Sequence, residues 1–183
     1  MSEIKRKTLS VLVDNAAGVL SQVSRLFSRK GYNIESLAVG TTDDPEVSRI
    51  TVEVMADDEQ IKQLANQLRK LIPIHSVKIL TPEIAMRREL VLIKVKAPAG
   101  NKRSEVIQIA NIFKASIIDV SVGSLTLALI GDEDKIKALE DILKEFEILE
   151  LVRTGVVALE RGNETIYEET KVKGEFNYGK NVL

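Results

Sequence analysis

Residues 8–40 read TLSVLVDNAAGVLSQVSRLFSRKGYNIESLAVG, and the period of their apolar positions changes twice. Over Thr8–Val13, Leu9, Val11 and Val13 fall on every second residue, the pattern of a strand with one buried face. Asp14-Asn15-Ala16-Ala17-Gly18 interrupts that alternation with turn-forming residues. Val19, Val23, Leu26 and Phe27 then recur at three- and four-residue spacings, with Leu20 alongside, which predicts an amphipathic helix. Arg29-Lys30-Gly31 supplies a basic last turn and a glycine stop. Asn33–Gly40 is predicted to be a second strand.

The same grammar continues downstream. Thr41-Thr42-Asp43-Asp44-Pro45 is a loop between hairpin strands, and Arg49–Met55 sets Ile50, Val52 and Val54 against Thr51 and Glu53. Asp57 with Gln60 forms a capping-box pattern ahead of Ile61, Leu64, Ala65, Leu68, Leu71 and Ile72. Pro73 ends that helix, and His75–Leu80 closes the unit as a strand. The order βαββαβ predicts an antiparallel sheet with both helices on one face, the ferredoxin-like sandwich. After Pro82 and the charged connector Glu83–Arg88 the order starts again. Strand Glu89–Lys96, helix Ser104–Phe113, strands Ser116–Val122 and Leu125–Ile130, a helix capped by Asp132, and strand Ile148–Leu159 follow. Such a recurrence is an internal structural repeat. The predicted fold class is therefore α+β, two tandem ferredoxin-like units over 1–82 and 83–162. Residues 163–183 read as a charged tail, or an arm that orders only on a partner.

Composition narrows the chemistry. The chain has 183 residues, no Cys and one His, His75. Thiolate nucleophiles, disulfides and Cys-ligated metals are excluded, and a Ser-His-Asp triad would have to use His75. His75 has no readable nucleophile beside it and reads as a surface or interface residue. The 26 basic and 27 acidic side chains leave no basic excess for nucleic acid, and the central strand Arg49–Met55 lacks RNA-stacking aromatics. No run is long and apolar enough for a membrane span, so the expectation is a cytoplasmic protein with no nucleic-acid or membrane partner. Asp43-Asp44 and Asp132-Glu133-Asp134 read as a solvated loop and a helix start rather than metal sites.

The remaining candidate is the first strand-to-helix junction. A helix beginning after Gly18 presents unpaired N–H groups and the positive end of its dipole, and the missing Cβ lets a carboxylate approach. Asn15 adds an amide that both donates and accepts. Asn33 starts the next strand at the far end of that helix, where a second subunit's Asn33 reaches a Gly18 loop more easily than its own. Asn and Gly are also ordinary strand-to-helix punctuation, and both readings stand on spacing alone.

Asn15-x-x-Gly18-x-Leu20 after a strand resembles the ACT domain, an amino-acid-sensing module on this fold. Leu9–Val13, Gly31-Tyr32-Asn33-Ile34-Glu35-Ser36-Leu37, Thr42-Asp43-Asp44-Pro45-x-x-Ser48-Arg49, Ile117–Val120 and Arg153-Thr154-Gly155-Val156-Val157 are similar to the regulatory (small) subunits of acetolactate synthase. The resemblance covers residues 4–162 and implies a non-catalytic chain, with its first unit an ACT domain. It implies a large catalytic subunit as partner, bearing the thiamine diphosphate, Mg and FAD, with no cofactor in this chain. It also implies activation of that subunit and feedback inhibition by valine at the interface of a dimer, in branched-chain amino-acid biosynthesis. The effector residues it implies are Asn15, Gly18, Val19 and Leu20 of one subunit with Asn33 and Ile34 of its neighbour. Asp14 is the candidate for the ammonium. The second unit's junction, Ala97–Arg103, lacks the pattern, and no equivalent pocket is expected there. A free-standing amino-acid sensor acting on another enzyme or on transcription is the alternative.

Overall fold

A computed structural model describes residues 3–169. It divides into two compact units, one of residues up to 86 together with those from 158 onward, the other of residues 87–157. The first contains β1 (Lys5–Asp14), α1 (Val19–Arg29), β2 (Ile34–Thr41), β3 (Val47–Ala56), α2 (Asp58–Leu68) and β4 (Ile74–Leu80). Its sheet order is β2-β3-β1-β4, all antiparallel. This is the predicted βαββαβ sandwich.

Strand alternation decides the two faces. Leu9 opposes Val52, and Val11 opposes Ile50 and Val77, so these side chains share the face that meets the helices. Val23 and Phe27 of α1 and Leu64 and Leu68 of α2 complete that core, each 1% exposed or less. Asp57 caps α2 through a full capping box with Gln60, as its spacing predicts. Helix α2 ends at Leu68, earlier than the apolar periodicity predicts. Lys70 and Leu71 donate to the Gln67 and Leu68 carbonyls in tighter turns, which throws Ile72 out to 99% exposure.

The opposite face of this sheet carries Thr8, Ser10, Thr51 and Ser76, all buried. Part of the chain from Ala158 returns to the first unit. Ala158 packs with Leu80 and Ala85, and the Arg161 N–H donates to the Ile84 carbonyl at 2.7 Å. Glu160 pairs with Lys78, and the Ser76 hydroxyl donates to the Ile166 carbonyl at 2.9 Å. Ile166 is 3% exposed and opens a 3-10 turn, Ile166–Glu169. The sequence reading carries the second domain to 162 and calls 163–183 a charged tail. By packing, the chain changes units at Ala158, and residues 165–167 are held by their own chain, through the Ile166 side chain, two main-chain carbonyls and the Tyr167 hydroxyl. None of these signals has a period. The rest of the tail lies outside the described residues.

The second unit repeats the order. It has β5 (Ala85–Lys96), α3 (Asn101–Phe113), β6 (Ser116–Val120), β7 (Ser124–Gly131) and α4 (Glu133–Leu143), followed by β8 (Ile148–Arg153). The sheet order is β6-β7-β5-β8, and β9 (Val157–Glu160) also pairs with β5. The single last strand predicted over Ile148–Leu159 is thus two strands. Gly155 between them has φ +81°, a left-handed conformation that ends one strand before the next begins. Ile93, Leu127 and Leu139 are fully buried between this sheet and its helices.

Candidate functional site

The junction between β1 and α1 is tied down on both sides. The Asp14 N–H donates to the Pro73 carbonyl at 2.9 Å, and the Asn15 N–H to the Glu46 carbonyl at 2.7 Å. The Asn15 side-chain amide donates to the Pro45 carbonyl at 2.8 Å. Asn15 therefore uses its donors to fasten the junction to the β2–β3 loop. That loop closes on itself. The Thr42 N–H meets the Val47 carbonyl at 2.9 Å, and Asp44 Oδ1 accepts from the Glu46 N–H at 2.9 Å. The fixed loop presents the two carbonyls that Asn15 needs.

Beyond the tie, residues 15–18 are exposed. Gly18 has φ +85° and stands as the N-cap of α1 with no side-chain cap and no acidic residue in the first turn. By contrast α2 and α4 have Asp57 and Asp132 as caps, with acidic residues in their first turns. The first i→i−4 bond of α1 runs from the Gln22 N–H to the Gly18 carbonyl at 3.1 Å, so the Leu20 and Ser21 N–H groups lie outside the helix ladder. A Cβ built on Gly18 meets nothing within 4 Å. The site is an open, positively polarised helix terminus framed by a fixed loop. It can take an anion through main-chain N–H groups.

The remaining predicted residues divide between core and surface. Val19 is buried in the core, which leaves its main chain to the junction, while the Leu20 side chain is 42% exposed. Ile34 packs at the edge of the core. Asn33 is exposed, and its amide donates to Glu35 Oε1 at 2.7 Å. Asn33 and Ile34 follow the C-terminal end of α1 and stand apart from their own Gly18 loop. Asp14, the ammonium candidate, holds His75 Nε2 at 2.6 Å with one carboxylate oxygen. His75 is the extra residue of a bulge in β4, because Leu12 opposes Ser76 while Val13 opposes Ile74. Sequence reasoning missed the Asp14–His75 pair, since nothing local marks a contact between residues so far apart in the chain.

The second unit's junction has a different fate. Gly100 precedes α3 at φ +115°, again without a side-chain cap. Here Arg103 folds back over the loop. Its Nε and Nη2 donate to the Ala97 carbonyl at 2.9 and 2.8 Å, and Nη2 also reaches the Ser121 and Val122 carbonyls at 2.5 and 2.6 Å. A cation that satisfies three carbonyls fixes this loop from within. Arg103→Ala is expected to lower stability by about 1–2 kcal/mol, read as a reduced urea midpoint at unchanged slope.

Comparison with known proteins follows this division. The family model described as the AHAS small subunit-like ACT domain matches residues 9–76, and the model for the small subunit of acetolactate synthase matches residues 88–162. The acetolactate synthase small subunit of Mycobacterium bovis is 48% identical over 158 residues, covering 86% of this chain and 94% of that one. The Haemophilus influenzae small subunit is 43% identical over 162 residues, covering 88% and 99%. The crystal structure of the acetolactate synthase small subunit from Thermotoga maritima superposes with a TM-score of 0.82 at 36% identity, over 88% of this chain and all of that one. Among the described residues no helix is long and apolar enough to cross a membrane. With both units matched in order, and an open loop where the family has its ACT domain, the chain belongs to the acetolactate synthase small subunits, the regulatory part of that enzyme rather than its catalyst.

Proposed function

We propose that this chain activates the large catalytic subunit of acetolactate synthase and makes it responsive to valine, as a control point of branched-chain amino-acid biosynthesis in the cytoplasm. The catalytic partner carries thiamine diphosphate, Mg and FAD and joins two pyruvates. This chain supplies binding energy alone. The observation that carries the reading is the uncapped start of α1, with Gly18 left-handed and space beside it. The valine carboxylate docks on the N–H groups of Gly18, Val19 and Leu20, the Val19 N–H giving up its long 3.4 Å bond to the Ala16 carbonyl, and Asn15 keeps the loop in register. The Leu20 side chain offers exposed apolar surface.

The second half of the site comes from another copy. β2 is an edge strand of its sheet, which leaves its outer backbone groups for pairing. In such a dimer Asn33 and Ile34 of one protomer close the Gly18 loop of its partner, and Asn33 trades its bond to Glu35 for the effector. Asp14 receives the ammonium with the carboxylate oxygen that His75 leaves open.

Reconstitution tests this reading. Adding the chain to its catalytic subunit is expected to raise acetolactate formation several-fold, and valine is expected to withdraw most of that gain. The isolated chain turns over no pyruvate. Activation that valine leaves untouched would remove the effector reading and keep the partnership. No activation at all would remove both.

A further inference from the structure

The loop that anchors Asn15 is itself held by a residue beyond the family's matched region. The small-subunit model ends at residue 162, and the chain goes on through Thr165, Ile166 and Tyr167. Ile166 is buried, its carbonyl accepts from the Ser76 hydroxyl at 2.9 Å, and Lys78 Nζ donates to the Thr165 carbonyl at 3.3 Å. These contacts fix the backbone on either side of the Ile166 side chain against β4. Tyr167 follows, and its hydroxyl donates to Asp43 Oδ1 at 3.1 Å.

Asp43 lies in the β2–β3 loop, whose turn is built by the bonds of its neighbours Thr42 and Asp44. Its carboxylate is thus available to the segment that crosses from β4. The same loop offers the Pro45 and Glu46 carbonyls to Asn15. Burial pushes the Arg49 pKa below its ordinary value, and Tyr167 acts on it in the opposite direction.

We infer that Tyr167 is a positioning residue for the effector loop, acting through Asp43 on the β2–β3 loop and through Asn15 on Gly18. The inference rests on the valine reading of the Gly18 loop for its functional meaning. Its structural content, coupling from Tyr167 to Asn15, stands independently. A hydroxyl on a segment already anchored by Ile166 loses little further freedom when it binds, which lets one hydrogen bond bias a loop.

The test uses the full-length chain with Tyr167→Phe, Asp43→Ala, Asp43→Asn, and Tyr167→Phe combined with Asp43→Ala. Valine is titrated calorimetrically, and amide exchange of residues 15, 42–44, 46 and 47 is followed without ligand. Tyr167→Phe and Asp43→Ala are each expected to weaken valine about fivefold, the worth of one net hydrogen bond, and the double variant no further. Asp43→Asn keeps an oxygen acceptor and is expected to restore wild-type affinity. The Asn15 amide exchanges about fivefold faster in Tyr167→Phe. Additive losses in the double variant, or an Asn15 exchange rate equal to wild type, would overturn the inference. If the wild-type chain itself takes up no valine, the effector reading fails, while the exchange rates still decide whether Tyr167 positions the loop.

Discussion

Gly18→Asp is expected to raise the valine dissociation constant by at least about 30-fold, equivalent to roughly 2 kcal/mol, and to free the reconstituted enzyme from feedback while leaving activation intact. Three effects act in one direction. The new carboxylate stands at the positive end of α1 and competes for the same N–H groups that would hold the effector. It also repels the effector's carboxylate at close range, an interaction worth several kcal/mol at short distance near a protein surface. The left-handed φ of +85° costs any side chain there about 1–2 kcal/mol, though Asp tolerates it better than most residues. The fold accepts the change, because a Cβ at this position meets nothing within 4 Å. An aspartate moreover brings a side-chain acceptor to a helix start that has none. Gly18→Ala carries the strain without the charge and is expected to cost less than tenfold. Isothermal titration against both variants checks the pair. A Gly18→Asp chain that binds valine like wild type would show that the carboxylate docks elsewhere.

Local physics made much of this legible. The alternation Leu9, Val11, Val13 could be only a strand with one apolar face, and the Val19–Phe27 spacing only a helix lying on it. Asp57 and Gln60 announce α2 because both ends of their reciprocal bond lie within one turn. The Gly18 junction was visible for the same reason, since strand, turn and helix are consecutive. Features that depend on distant pairing were not. Asn15 reads as an amide that helps to order the Gly18 loop, but the acceptor it uses is Pro45, 30 residues on, and no spacing rule links the two. Asp14 and His75 are 61 residues apart and meet across the β1–β4 pairing. Ile72 fitted the helical period but fell after the turn that ends α2, where tertiary geometry, and not periodicity, sets exposure. Gly155 split a strand that hydrophobicity alone ran through. The return of residues 158–169 was the least readable, since one buried isoleucine among charged residues carries no pattern.

The difference between the two junctions is equally physical. Both helices begin after a glycine with positive φ and neither has a side-chain cap. At Gly100, Arg103 folds back to occupy three nearby carbonyls and fixes the loop. In the first unit the loop is fixed from outside, by Asn15 reaching the β2–β3 turn, and the α1 terminus is left open. Repeat units with one topology thus divide into one suited to a ligand and one fixed by its own arginine.

Phe27→Ala is expected to lower the stability of the first unit by about 3–5 kcal/mol, a large share of the roughly 5–15 kcal/mol that holds a typical domain. Phe27 is fully buried between α1, α2 and the sheet, and truncation removes its apolar surface and leaves a cavity. The Tyr32 N–H donates to the Phe27 main-chain carbonyl at 3.0 Å, a bond the substitution leaves in place, so the loss is one of packing. The urea midpoint should fall with little change in slope, whereas Ile72→Ala, at 99% exposure, should stay within about 0.5 kcal/mol of wild type. The effector adds a second axis to the same experiment. A ligand that binds only the native state contributes about 2.7 kcal/mol at one hundred times its dissociation constant. Valine at that ratio should raise the midpoint of wild type and Phe27→Ala by comparable free energies, because the cavity lies behind α1 and the loop at its start is unchanged. The same valine concentration should barely move Gly18→Asp, whose packing is intact and whose site is not. Stability and binding then separate along one helix, with Phe27 governing whether α1 is held and Gly18 governing what its N-terminus holds. Equal midpoints for Phe27→Ala and wild type would contradict the packing of α1 described here, and a valine shift in Gly18→Asp as large as in wild type would contradict the site.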